Sequence, residues 1–529
     1  MRKAEPAPTE PRRRTRARAG AGSRVRRSPR RHAALVALAL APLVLALASG
    51  CARFRRPEPE RPAAEQPRRR TVLSTEWDDR RAGQEAEKAA LAELGRLQDE
   101  ALQAYVQEVG ARVAAHARQG AFDYRFQVVD AWTPNAFALP GGAIFVSRGL
   151  LALTSSEDEL ANVLAHEVVH VAHRHAAAQQ FVVSATPFAF GWWGATQVAA
   201  YARDQEREAD DGGQRLAAAA GYDPAAMATV LRALEQEERL QLGASRLPSY
   251  LQHHPANTER MAAAFALGAE LGGSPAVREA VRRRDPAEHL RRLEGLVVDD
   301  NPAEGVFLGS RFVHPDLGFA LSFPEGWKLV NTTRMVAAFS PQRNARFALE
   351  GAGPGDDPKV AAGRFLAGEA RALGARIVDA QSLEIAGRPA YEVRGQLWTP
   401  NGVMAGQLTW IAHEGAVYRL SAAAPAPLAA RYFGRARAMA RSFRAITEEE
   451  RAAIRVQRLR IVPALPGEDL AALSRRTGNA WDPVRTAVLN GLLPDARLEG
   501  GRLVKIVVSE PYRGRAPQAA DAAPDQPSR

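Results

Sequence analysis

Among 529 residues there is one cysteine, Cys51. No intramolecular disulfide can form, so packing, hydrogen bonds or a bound ion must hold the fold. Aromatic residues are sparse, at 7%. No tandem repeat of roughly 20–50 residues recurs, which sets aside solenoid and propeller architectures. Past residue 32 the chain also lacks any excess of charge. Of the formal +12, residues 1–32 carry twelve Lys/Arg against Glu5 and Glu10, and the remaining 59 basic residues nearly balance 57 acidic ones. A basic balance confined to one end builds no groove for phosphates, and nucleic-acid binding is set aside. Neither a glycine-rich phosphate loop nor a Ser/His/Asp nucleophile elbow occurs. The length exceeds what one hydrophobic core supports and implies three or four domains.

The basic stretch runs straight into the uncharged segment Ala33–Gly50. Basic residues, an apolar run and then small residues are the layout of a secretory signal. Cys51 closes that run in Leu47-Ala-Ser-Gly-Cys51, which resembles a bacterial lipobox with Ala48 in place of the usual leucine. The resemblance implies acylation of Cys51 and a membrane anchor. Ala52 after the cysteine resembles the pattern sorted to the outer membrane, so the expected location is the periplasmic face of the cell envelope. An uncleaved N-terminal anchor is the other reading, because 18 apolar residues just suffice for one.

Residues 1–51 thus read as signal peptide with lipobox, and the Pro-rich, charged stretch 52–72 as a tether. Residues 73–297 are mostly helical in pattern, with strands in Phe122–Ala131 and Gly142–Ser147. From 307 to 445 short alternating strands take over, interrupted by one helical stretch, Lys359–Leu373, which gives an α+β accessory domain. A charged connecting helix is expected over 446–458, a strand–helix–helix–strand unit over 459–508 and a disordered tail over 509–529.

The chemistry concentrates in Leu164-Ala-His-Glu-Val-Val-His-Val-Ala-His-Arg-His175, which holds four of the eleven histidines. On a helix His166 and His170 lie one turn apart on one face and can share a Zn²⁺ ion, with Glu167 placed to accept a proton from a water on it. Downstream, Glu206 and Asp210 are again four apart. Glu206 would be the third ligand, and Asp210 would accept the free ring N–H of a ligand histidine. Glu208 points to the opposite helix face. His173 and His175, two apart, diverge by roughly 200° on a helix and read as outer or surface residues. The uncharged stretch Phe181–Ala202 could span a bilayer by length. One crossing would put His170 and Glu206 on opposite sides, so a bent hairpin or lid over the site is expected instead.

His166-Glu-Val-Val-His170, Glu206-Arg-Glu-Ala-Asp210, His254-Pro255 with Arg260, and, upstream, Asn135-Ala-Phe-Ala-Leu-Pro-Gly-Gly-Ala-Ile-Phe-Val-Ser147 fall within Thr75–Leu271. Together they resemble the gluzincin metallopeptidases that include the CAAX prenyl proteases and the membrane heat-shock protease, nearest to secreted lipoprotein-type members. The resemblance implies a mostly α, zincin-like α+β domain over 73–297 with one zinc per chain. It also implies an extended polypeptide substrate adding to the strand of Gly142, Ala143, Ile144 and Phe145, and His254 near the metal, where it can fill the open position. Tyr250, His254 and Arg203 are candidates to stabilise the oxyanion. Residues 459–508 resemble a LysM-like βααβ module, in which Trp481 is atypical; that family binds N-acetylglucosamine polymers such as peptidoglycan, and a structural cap is the alternative. Residues 307–445 resemble accessory domains of photosystem-associated lipoproteins. The expected function is a zinc endopeptidase that removes misfolded or misassembled envelope proteins. An envelope assembly factor with a self-blocked zinc site is the rival, and a peptidoglycan hydrolase ranks third.

Overall fold

The computed structural model describes residues 76–117, 122–175, 203–240, 249–254, 258–399 and 402–514. All lie in a compact unit that begins at Ser74. Cys51 and the leader, the tether and Phe181–Ala202 fall outside the described residues. Among the described residues no helix is long and apolar enough to cross a membrane.

Helices α1 (Glu76–Leu94) and α2 (Glu100–Ala114) precede a small sheet of β1 (Arg125–Val129), β2 (Ala136–Ala138) and β3 (Ala143–Ser147). Asp99 starts α2 by accepting the Leu102 amide hydrogen at 3.0 Å. The short α3 (Arg148–Leu153) leads to the central helix α4 (Glu157–Ala172). Ser156 caps α4 by accepting from the Glu159 amide, and Glu157, Asp158 and Glu159 complement its positive end. Every residue from Leu160 to Val171 on α4 is buried, as its uncharged flanks require.

Helix α5 (Arg203–Ala219) packs on α4 through one face, Glu206, Ala209, Asp210, Gly213, Gln214 and Ala217. Gly213 sets how closely the two helices approach: a Cβ there would stand 2.9 Å from the His166 backbone nitrogen and 3.0 Å from its Cα. Helices α6 (Ala226–Leu240), α7 (Tyr250–His253), α8 (Thr258–Gly272), α9 (Pro275–Arg283) and α10 (Glu288–Arg292) complete this part, followed by the short strand β4 (Val297–Val298). Buried Gln214 donates to the carbonyls of Pro224 and Ala264 at 2.8 Å each, fixing α8 beside α5.

The middle of the chain is mostly sheet. Strands β5 (Val306–Leu308), β6 (Arg311–His314) and β7 (Phe319–Ser322) form one small sheet. Strands β8 (Lys328–Asn331), β9 (Met335–Phe339), β10 (Arg346–Pro354), β11 (Arg376–Ile385), β12 (Arg388–Thr399), β13 (Gly402–His413) and β14 (Ala416–Pro425) form a seven-stranded antiparallel sheet in the order β11-β12-β13-β14-β10-β9-β8. The helix expected over Lys359–Leu373 divides into α11 (Pro358–Phe365) and a π-helical turn, Leu366–Ala370. A further helix, α12 (Ala429–Arg441), was not expected. It buries Tyr432, Ala436, Met439 and Ala440, the spacing of one helical face. Strand β15 (Arg444–Ala445) then joins β7.

Two boundaries differ from expectation. The connecting helix is only α13 (Glu448–Ala453), with a full capping box at Thr447 and Glu450, and a strand already begins at Arg455. That strand, β16 (Arg455–Pro463), is followed by α14 (Leu470–Thr477), α15 (Pro483–Leu489) and β17 (Leu503–Pro511), which extends past residue 508. β16 pairs with both β17 and β4. Leu459, Trp481, Leu489 and Val507 share a core with α2 and α4, so Trp481 is a packing residue here. Lys505, fully buried, donates to the carbonyls of Ala152, Leu153 and Thr154 at 2.9, 2.9 and 2.8 Å, capping α3 where it turns into α4.

Candidate metal centre

Four donors converge between α4, α5 and the end of α7: one ligand atom each from His166, His170, Glu206 and His254, all within 4.8 Å of one another. The Nε2 atoms of His166 and His170 are 2.9 Å apart, and His254 Nδ1 is 3.2 Å from His166 Nε2. Glu206 Oε1 lies 3.0 Å from His254 Nδ1 and 3.5 Å from His170 Nε2, and Oε2 lies 3.7 Å from His166 Nε2. Donors bound tetrahedrally at about 2.0–2.1 Å stand roughly 3.3 Å apart, so the spacing fits a single zinc-sized ion.

The electrostatics point the same way. Burial holds the pKa values of His166 and His170 below the ordinary histidine value, and brings His254 down to about 3 with help from the Arg260 charge. The three rings are neutral at neutral pH and keep the lone pairs that metal binding requires. Desolvation and the neighbouring Glu206 charge push Glu167 well above the usual carboxylate range, the shift a general base needs. Both Glu167 oxygens are buried without a regular hydrogen bond, and Oε1 lies 3.5 Å from His254 Nε2.

A surrounding layer orients the donors. Asp210 Oδ1 is 3.0 Å from His166 Nδ1, and Arg260 on α8 reaches both Asp210 oxygens at 2.7 and 2.8 Å. Burial alone would raise Asp210, but these hydrogen bonds bring it down to about 2. Arg260 also pairs with Glu206 Oε2 at 2.8 Å and donates to the His254 carbonyl at 3.2 Å, joining three of the site's segments. The sequence places Arg260 in a motif without giving it this role; only the fold shows it. The Tyr250 ring stacks on His254 at 4.4 Å, and its buried hydroxyl has no hydrogen-bond partner among the described residues. Arg203 is exposed on the first turn of α5 and takes no part in the buried cluster.

Two expectations change. Gly142, Ala143, Ile144 and Phe145 do not offer an open strand edge, because β3 is paired with β1 on one side and β2 on the other. β2 is an edge strand of this sheet, and among the described residues no further strand pairs with its other side. Asn135 and Leu139 bond to β3, so by the alternation of a strand Ala136 and Ala138 face the other way. The Ala138 backbone lies beside Glu167 and opposes the rise of its pKa, and the Ala136 backbone lies beside His254. Nor do His173 and His175 diverge. α4 ends before them and Arg174 takes a left-handed conformation, φ 55°, which turns His175 beneath the helix.

Residues 100–267, the span that builds this site, match Peptidase family M48. Over that segment, about a third of the chain, the protein is similar to this family. The chain is 30% identical over 204 residues to the mitochondrial metalloendopeptidase OMA1 of Schizosaccharomyces pombe, covering 35% of this chain and 59% of that protein. It is 28% identical over 191 residues to the beta-barrel assembly-enhancing protease of Escherichia coli, covering 31% and 39%. It therefore spans less than two thirds of these relatives. A solution structure of a cyanobacterial PsbP aligns with 27% of the chain and 95% of its own length, at 13% identity and a TM-score of 0.23, too low to support a conclusion.

Proposed function

We propose that this chain is a zinc endopeptidase of the bacterial cell envelope that cleaves misfolded or misassembled envelope proteins. The convergence of His166, His170 and Glu206 beside the buried, high-pKa Glu167 carries the reading. A divalent cation held there supplies Lewis-acid polarisation of a peptide carbonyl and acidifies a water molecule. Two imidazoles and a carboxylate favour zinc. Glu167 takes the proton of the attacking water and returns it to the leaving amine. Asp210, held by Arg260, keeps the His166 proton on Nδ1 and leaves Nε2 to bind. The outward groups of Ala136 and Ala138 suit an extended polypeptide laid along β2. Similarity to a beta-barrel assembly-enhancing protease supports envelope substrates. The Cys51 segment supports a lipid anchor on the periplasmic face of the outer membrane, and the βααβ element order supports a LysM-like contact with peptidoglycan.

The test is casein cleavage by the purified protein with Glu167→Gln. Cleavage should fall by about 10²-fold or more with zinc content unchanged; an unchanged rate would overturn the assignment. One observation favours a self-blocked site: His254 supplies the fourth donor and also lies beside Ala136, where substrate would bind. Four protein ligands close a zinc site. On this reading His254→Ala raises cleavage, whereas a loss would make His254 a catalytic residue of an open site.

A further inference from the structure

A second cluster lies one layer outside the first. His173 Nδ1 is 2.7 Å from Glu208 Oε1, and His175 Nε2 is 3.2 Å from Glu208 Oε2. One ligand atom each from His173, His175 and Glu208 lie within 4.8 Å of one another. His173 and Glu208 are solvent-accessible, with side chains 34% and 52% exposed, so an ion can enter from solution. The arrangement depends on the left-handed Arg174, a conformation a non-glycine residue adopts only at some cost. It also depends on Glu208, whose place on the far helix face from Glu206 aims it at these rings. We propose that His173, His175 and Glu208 form a second site for a divalent transition cation such as Zn²⁺ or Co²⁺, and that filling it weakens the hold on the first ion.

Two imidazoles and a carboxylate, with water completing the shell, are a common donor set for such ions. The coupling rests on the reading of His170 as a ligand of the first ion, and it follows from one short contact. His175 Nδ1 is 2.9 Å from His170 Nδ1. A neutral imidazole carries one proton. When His170 gives its Nε2 lone pair to the first ion, its proton sits on Nδ1 and is donated to His175 Nδ1. The His175 proton is then on Nε2, facing Glu208. An ion at the second site needs that Nε2 lone pair, which moves the His175 proton to Nδ1. Two N–H groups then point at each other across 2.9 Å, and the hydrogen bond that fixes His170 is lost. Outer hydrogen bonds of this kind are worth about 10–100-fold in metal affinity. The second site is therefore inhibitory.

The test uses the full chain. Zinc-loaded protein is dialysed against zinc up to millimolar concentration and the metal per chain is counted. Loss of pre-bound zinc to a chelating dye is then timed with and without added cobalt. The expected result is a second, weaker zinc that Glu208→Gln and His173→Ala both lose while keeping the first. Cobalt should speed zinc loss by about tenfold or more in the wild type and not in either variant. His166→Ala should lose the first ion and bind the second more tightly, which examines the outer site by itself. Failure of the wild type to take a second ion, or its persistence in both variants, overturns the site. A second ion without effect on zinc loss overturns the coupling. If His166→Ala combined with Glu208→Gln still keeps a tight ion, the reading of the first site fails instead.

Discussion

Replacing Lys505 with methionine keeps most of the side-chain volume and removes the ammonium. The structure gives the size of the effect. Lys505 Nζ has three buried main-chain acceptors at 2.8–2.9 Å and the half-buried Ser155 Oγ at 3.2 Å. Burial brings the ammonium down to about 7, so at pH 6 it is protonated. Each carbonyl left without a partner costs about 1–3 kcal/mol, while relief from burying the charge offsets part of that sum. A net loss of about 2–4 kcal/mol is expected, and the carbonyls of Ala152, Leu153 and Thr154 stand just before the Ser156 cap of the metal-binding helix. Thermal unfolding at pH 6 should show a fall in Tm of about 2–4 °C for a unit of this size. Zinc retention against a chelator should weaken alongside it. A Tm unchanged within the error of the measurement, on the same preparation, would show that the C-terminal βααβ unit does not brace α4.

Three further outcomes are expected. Gly213→Ala places a methyl 2.9 Å from the His166 backbone, so it should cost about 1–3 kcal/mol and lower zinc affinity; wild-type values in both would refute the close helix contact. Asp210→Asn removes the acceptor that fixes the His166 tautomer and should weaken zinc binding by about 10–100-fold without unfolding the chain, as measured by competition with a chelating dye. His289 is buried between the Tyr105 hydroxyl at 2.8 Å and Thr154 Oγ1 at 3.0 Å, and burial brings it down to about 3. Between pH 6.5 and 3 the unfolded chain therefore binds one more proton at this site than the folded one. Stability should fall with pH through that window by up to about 1.4 kcal/mol per unit. Denaturant titrations at pH 6.5 and 5 should show a shallower fall in His289→Gln, and an equal fall would contradict the assignment.

What the sequence reveals and what it hides divide along the range of the interaction. The pairs His166/His170 and Glu206/Asp210 were legible because a helix returns to the same face every four residues, a local rule. The order of strands and helices in 459–508 was legible for the same reason. The edge position of β2 was not, because hydrophobic alternation marks a strand without saying which side is paired, and Gly142–Phe145 is the more strongly apolar stretch. The turn at Arg174 escaped because it breaks the helical spacing from which the divergence of His173 and His175 followed. Gly213 carries no local signal of close contact, since its meaning lies in the backbone of another helix. Arg260 and Lys505 act on groups about 50 and 350 positions away, and no periodicity links such distant residues.

The central claim is that His166, His170 and Glu206 hold one ion. Anomalous diffraction at the zinc edge, on crystals of the purified chain, measures this directly. The account predicts a single strong peak about 2.0–2.2 Å from His166 Nε2, His170 Nε2 and a Glu206 oxygen. A zinc-bearing crystal whose peak lies away from these three residues, or protein that takes up no zinc under saturating conditions, would contradict it.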